Sequence, residues 1–290
     1  MNAREFMARF YIISLLCLIS AFAAYGRTQL NADGSLALPS VPAELRQPVD
    51  RADYIALHFW DAMDWTDTLR GHDQAWMEQQ LANYLSVLPH AHADSVSTAI
   101  DRFMTAAQID KETYELLSEL AAGYLFNSDS PVRNDGFYIM FLENNSKASV
   151  LSDSSRERAA WMLDELNKNR VGCVAHDFSF DTRTGASMKL SDINSGRDIL
   201  LLFYDPDCST CHEVISELTA NPLNVTVVAI CVEGERDAWL DDARRMPADW
   251  IVGYPSEAMD EIYALFEMPT MLLLTPEHKV KMTNVRISDL

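Results

Sequence analysis

The sequence predicts an α + α/β protein: an all-helical N-terminal domain over residues 50–170, then an α/β domain over residues 171–290. Three observations carry this. From Arg51 to Leu166, apolar residues recur at three- and four-residue spacing, the period of amphipathic helices. After Val171-Gly172, short apolar strands alternate with helical stretches, the pattern of a sheet covered by helices. Between one such strand and one such helix stands a Cys-x-x-Cys, Cys208-Ser209-Thr210-Cys211.

Taken in order, Arg4 and Arg9 precede an apolar run, Phe10–Ala24, and Ala21-Phe22-Ala23 offers a small-x-small cleavage site. Residues 1–23 read as a secretory signal peptide, with an uncleaved anchor as the alternative. The expected location is therefore the periplasm or cell envelope. Residues 24–49, punctuated by Pro39, Pro42 and Pro48 and without a period, read as a flexible mature N-terminus. Helices are expected over 51–63, 73–88, 94–107 and 111–125. Ser130-Pro131 reads as a helix start, N-cap followed by proline. Ser154-x-x-Glu157 reads as a capping box opening a helix through Leu166. The aromatic stripe Tyr54, Phe59, Trp60, Trp65 and Trp76 reads as helical core. His90 and His92 read as surface or capping residues, because further metal ligands are not near them in sequence.

In the second domain, Phe178–Phe180 and Ser187–Leu190 form an expected hairpin turning at Gly185. Ile199–Tyr204 and Val225–Val232 are continuous apolar runs, as for strands covered on both faces. Helices are expected from Cys208 to Leu218, from Glu235 to Arg245 and from Ser256 to Phe266, and a short strand at Trp250–Gly253. Met271–Leu274 and Val280–Val285 close the domain as a hairpin around Pro276-Glu277-His278.

The net charge of -20 argues against nucleic acid or an anionic membrane surface as partner. Of five cysteines, Cys17 falls in the signal segment, leaving Cys173, Cys208, Cys211 and Cys231. Four are too few to staple a chain of this length, and an exported protein meets an oxidising compartment. One pair is redox-spaced. Cys231, in a buried strand, reads as a small core residue, and Cys173 as exposed near the domain junction.

Cysteines three apart on a helical turn lie roughly 5–6 Å from one another, a separation suited to a disulfide. Cys208 also sits where unpaired backbone N–H groups and the helix dipole favour an anion, and the thiolate is the nucleophile of disulfide exchange. The expected roles are Cys208 as nucleophile and Cys211 as resolving thiol, with the Cys208–Cys211 disulfide as the redox group and neither cofactor nor metal. A structural disulfide and a zinc half-site are the plainer readings. Zinc wants about four ligands, and a second Cys-x-x-Cys is not in the sequence.

With these pieces in place, residues 171–290 resemble the thioredoxin-like fold, in particular its extracytoplasmic thiol–disulfide oxidoreductases. The resemblance rests on Val171-Gly-x-x-Ala175-x-Asp177-Phe178, the hairpin, the strand before Cys208-x-x-Cys211, and Met268-Pro269-Thr270 before the next strand. Residues 51–170 resemble a helical domain of unassigned function that precedes thioredoxin-like domains in bacterial envelope proteins. The matching stretches are Tyr54–Trp65, with Phe59-Trp60-Asp61, then Leu88-Pro89-His90 and Asn127–Asn134. The first resemblance implies a cis bond before Pro269, a central mixed sheet, and substrate binding at Met268, Pro269 and Thr270. It also implies a disulfide-containing protein or small-thiol substrate and, for a reductase, a membrane-embedded thiol donor.

The chain departs from that pattern. Ser209-Thr210 replaces Gly-Pro between the cysteines, and Leu202 stands where the fold carries a buried Asp six residues before the first cysteine. Glu213 or a water is then expected as proton acceptor. Only Arg286–Leu290 follow the last strand, so the final helix is expected to be absent or very short. Asp205, Asp207 and Glu213 disfavour a thiolate and His212, when protonated, favours it. These four are the expected tuners of the pair, tilted by three carboxylates towards a reductase. Asp205, standing where a thiol peroxidase carries Thr or Ser, argues against that chemistry. The alternative function is an envelope interaction protein whose helical domain binds a partner, the redox pair being minor.

Overall fold

The computed structural model describes residues 27–290. The signal segment read at 1–23 and Cys17 lie outside these residues. The described residues divide into two compact units, the first ending at Ala160 and the second spanning Trp161–Leu290.

The first unit is helical, as expected. Its helices are α1 (Pro48–His58), α2 (Thr68–Gly71), α3 (Gln74–Val87), α4 (Ala93–Ala107), α5 (Lys111–Leu125) and α6 (Asp135–Asn145). A seventh, α7 (Asp153–Asn167), spans the division at 160/161, which the sequence reading placed at 170/171. Side-chain caps set the starts: Asp73 accepts from Trp76 N, Asp110 from Thr113 N and Asn134 from Phe137 N.

Two expected starts move for this reason. Asn134, not Ser130, caps α6, and Pro131 lies in the turn before it, with Ser130 Oγ donating to Tyr124 O. The hydroxyl that accepts from Ser155 N belongs to Ser152, so Ser154 falls inside the first turn of α7. α1 ends at His58 rather than Met63, because Phe59 and Trp60 turn inward, 2% and 5% exposed.

The core of this unit is aromatic. Phe59, Trp60, Trp65, Tyr84, Phe103 and Phe141 are buried, with Trp60 stacked on Phe103 at 5.3 Å. Tyr54 and Trp76 of the expected stripe are only partly buried. The segment before α1, expected to be flexible, is tied to the helices. Gln29 N donates to Ala62 O, Trp76 Nε1 to Gly34 O, and Leu36, 1% exposed, donates its N–H to the buried Gln80 side chain. His92 meets Asp53 with both its backbone N–H and its ring Nδ1, each at 2.7 Å; it holds the N-cap position of α4 with its side chain on Asp53, not on the helix amides.

The second unit is built on one sheet. Its strands are β1 (Ser179–Thr182), β2 (Ser187–Lys189), β3 (Ile199–Tyr204), β4 (Thr226–Cys231), β5 (Ile251–Pro255), β6 (Thr270–Leu274) and β7 (Val280–Met282). They lie in the order β2-β1-β5-β4-β3-β6-β7. The sheet is mixed: β3 runs parallel to β4 and β4 to β5, while β3–β6, β6–β7, β1–β5 and β1–β2 are antiparallel. The hairpin β1–β2 turns at Gly185, whose φ of +84° suits a residue without Cβ.

Helices α8 (Ser209–Ala220) and α9 (Arg236–Ala243) and the short α10 (Met259–Ile262) complete it. Every residue of β3 is buried, and alternate residues feed two cores. Leu200, Leu202 and Tyr204 join Cys211, Leu218 and Trp239 on one face, and Ile199, Leu201 and Phe203 join Phe178 and Tyr263 on the other.

The helix expected over Ser256–Phe266 is reduced to α10. The Tyr263 ring is drawn against Phe203 and Phe178, its hydroxyl donates to His176 O, and its backbone turns extended, ending the helix. Tertiary packing thus outweighs the local period. Where a final helix was expected to be absent or very short, a 3₁₀ turn at Ile287–Asp289 closes the chain. Val285, bonded through its N–H to Met271 O, and Ile287 pack on the Leu200–Leu202 face in its place.

Candidate active site

β3 delivers the chain to the site and Asp205 turns it. Its carboxylate accepts from Asp207 N at 2.8 Å and its carbonyl from Cys208 N at 3.1 Å, a local turn for which an Asp side chain is suited. Cys208 is then the N-cap of α8. Its φ and ψ, -86° and 117°, are extended, and its Sγ takes the place of the usual capping oxygen, accepting from Cys211 N at 3.2 Å. The same sulfur faces the Met268 carbonyl oxygen at 3.6 Å. The Met268–Pro269 bond is cis. Cys208, Met268 and Pro269, distant in sequence, are therefore brought together.

The two thiols differ in environment. Cys208 is partly buried and Cys211 wholly so. Burial pushes the Cys211 thiol up to about 12. The hydrogen bond with Cys208 adds to this, a backbone hydrogen bond at Asp205 opposes it, and the charges of Cys208 and Asp205 add lesser contributions. Behind them, Tyr204 and Cys231 stand opposite each other in the β3–β4 register. Cys231 is buried, donates to Glu233 O at 2.9 Å, and burial likewise pushes it up to about 12. Cys173 is exposed.

The remaining expected residues separate. Thr270 is 3% exposed and its hydroxyl donates to Glu267 O at 2.6 Å, tying the loop to itself. His212 and Glu213 are exposed on α8, and Glu213 does not share the buried side of the helix with Cys211. Leu202 is fully buried in the apolar cluster that holds Cys211. Asp205 and Asp207 line a groove of about 530 Å³ whose other walls are Glu233-Gly234 and Leu265–Met268. The groove was not read from sequence. It is assembled from three loops, and only Asp205, Asp207 and Met268 carried a signal. Among the described residues, no group of three or more His, Cys, Asp or Glu is placed to hold a metal ion, and no helix is long and apolar enough to cross a membrane.

Comparison with known proteins adds to this geometry. Residues 21–169 match the family model described as Domain of unknown function (DUF5106). Among solved structures, the chain is similar to a thioredoxin-like protein from Bacteroides caccae, with 29% identity, a TM-score of 0.75, and 86% of this chain and 94% of that one covered. It is also similar to a conserved protein of unknown function from Bacteroides fragilis, with 27% identity, a TM-score of 0.37, and 41% of this chain and 94% of that one covered. A third is the thioredoxin domain of a thiol-disulfide oxidoreductase from Bacteroides vulgatus, with 23% identity, a TM-score of 0.37, and 42% and 92% covered. No curated protein matches.

Proposed function

This chain belongs to the DUF5106 family and couples that helical domain to a thioredoxin-like one; from this premise, we propose that it is an exported thiol–disulfide oxidoreductase, a reductase of protein or small-molecule disulfides. The observation that carries the reading is the convergence of a half-buried sulfur at a helix N-cap, a buried thiol one turn on, and the Met268 backbone 3.6 Å away.

In the proposed cycle, the Cys208 thiolate attacks one sulfur of a substrate disulfide. That S–S bond breaks, one substrate sulfur leaves as a thiolate, and a mixed disulfide forms. Cys211 then loses its proton and attacks Cys208 Sγ, displacing the second substrate sulfur. The substrate gains two electrons and two protons, and the protein ends with a Cys208–Cys211 disulfide. A membrane-embedded thiol donor in the cell envelope recharges it by the same exchange. Asp205, Asp207, Glu233 and Glu267 around the groove favour neutral or basic substrates.

The test is the reduction potential of the pair, by equilibration with glutathione buffers and thiol trapping. A value near about -270 mV supports the reductase, and one near about -120 mV makes it an oxidant. A pair that does not titrate removes the enzymatic reading.

A further inference from the structure

Trp161 lies inside the stretch 21–169 that matches the family of unassigned function, yet structurally it is the first residue of the second unit. From there on, α7 is fastened to the segment that leads into the groove. Lys168 Nζ donates to Asp260 O at 2.9 Å, and the Trp161 ring meets the Phe266 ring edge to face, with centroids 6.4 Å apart and planes at 77°. Phe266 is itself a wall of the groove formed with Asp205, Asp207 and Met268. Its neighbours Leu265 and Met268 pack partly on the Phe203 cluster, but the two rings stay in water: Trp161 is 54% exposed and Phe266 38%.

We propose that Trp161 and Phe266 form a subsite for a bulky apolar residue of a polypeptide substrate, whose basic residue lies over the acids of the groove. This rests on the reading of Cys208 as the attacking sulfur and narrows its substrates to polypeptide disulfides. A single exposed ring calls for no explanation, but two rings in contact at the rim of a groove make a patch. Aromatic side chains are what interfaces bury at their centre. The patch runs into the groove through Phe266, which belongs to both, and the groove's other walls include Asp205, Asp207 and Glu233. One extended segment, rising about 3.3 Å per residue, offers apolar and basic side chains within a few residues of each other. A small disulfide such as glutathione disulfide has no apolar side chain for the rings, and its carboxylates are repelled by the acids.

The experiment titrates the full chain carrying Cys208→Ser, which keeps a good N-cap residue, with cysteine-free peptides by calorimetry. Each peptide has one Lys and a Ser where the substrate cysteine would stand. One Phe is moved through the positions on either side of that Ser, and a peptide without Phe is the control. At one position or more, Phe is expected to tighten binding about three- to tenfold, the share of one aromatic contact. Trp161→Gln in the same background should bring that peptide to the affinity of the control. The proposal is overturned if no Phe position binds more tightly than the control, or if Trp161→Gln leaves the preference intact. It is also overturned if the chain self-associates and Trp161→Gln abolishes this in sedimentation, which would assign the rings to a second copy. Should Trp161→Gln fail to fold, Phe266→Gln decides by the same comparison. Because binding is read without the attacking sulfur, the two readings fail separately. A Phe preference beside a wild-type pair that does not titrate strikes the reductase and leaves the subsite; a titrating pair without the preference strikes the subsite alone.

Discussion

The Sγ of Cys208 lies 3.6 Å from the carbonyl oxygen of Met268, 60 residues further along the chain. In the proposed cycle, a substrate strand pairing with the Met268 backbone would thereby lie beside the attacking sulfur. The two cysteines then have separable roles. Cys211→Ser, incubated with glutathione disulfide, is expected to stop with one glutathione on Cys208, visible by peptide mapping. Cys208→Ser should carry none at Cys211 and reduce disulfides at the background rate. Wild-type activity in Cys208→Ser would exclude the cycle.

Because burial holds the Cys211 thiol up at about 12, its thiolate is scarce at neutral pH. In Cys208→Ser, iodoacetamide should leave Cys211 unlabelled at about pH 8, while the exposed Cys173 reacts. Its labelling rate should then climb roughly tenfold per pH unit, following the thiolate fraction. Rapid labelling of Cys211 at neutral pH would contradict the burial argument. The measurement is peptide-resolved mass spectrometry over a pH series.

The acidic residues of the groove predict a preference among substrates. A peptide disulfide flanked by Lys or Arg should be reduced faster than one flanked by Asp or Glu, with the ratio shrinking as salt is added. Asp207→Asn and Glu233→Gln should each narrow it. A salt-independent ratio would mean that the groove charges do not face the substrate.

Asp53 and His92 tie α1 to the start of α4, and their titrations have opposite signs. The hydrogen bond to Asp53 comes first among the causes that raise His92 above its ordinary 6.5. Its contribution is present below 6.5 and is lost as pH rises through the raised value. Burial pulls Asp53 upward, but the side-chain and backbone hydrogen bonds from His92 outweigh it and hold the carboxyl below 3.8. That contribution is present above 3.8 and is lost as pH falls through the lowered value. Urea unfolding of wild type against Asp53→Asn should therefore differ most between these two titrations and converge on both sides. A difference that does not vary with pH would show that the tie is not ionic.

The loop that carries Cys208 and Cys211 was legible because its signals are local: an apolar run, a turn, and two cysteines at helical spacing. Most helices of the first unit were legible for the same reason. What escaped the sequence was decided by distant partners. Ser256–Phe266 has a helical period, but the Tyr263 ring is worth more against Phe203 and Phe178 than in a further turn of helix. The inward bond of the Thr270 hydroxyl to Glu267 O also depends on how the loop closes and has no signal in the sequence. The proline-rich segment before α1 has no period of its own, and its order comes from Leu36 meeting Gln80 and Gln29 meeting Ala62. Glu233 and Phe266 became groove residues only when separate loops met.

The burial of β3 on both faces reaches beyond packing. Its amides are laddered to β4 on one side and β6 on the other, and every one of its residues is buried. Such a strand exchanges its hydrogens with solvent only when the whole domain opens. Cys208 thus stands a few residues from a stretch expected to exchange more slowly than the rest of the unit. In the proposed cycle, a change of redox state is then expected to rearrange the sulfurs and the first turn of α8 while the exchange of Ile199–Tyr204 stays the same, the oxidation state being written locally and the strand beneath serving as a fixed reference.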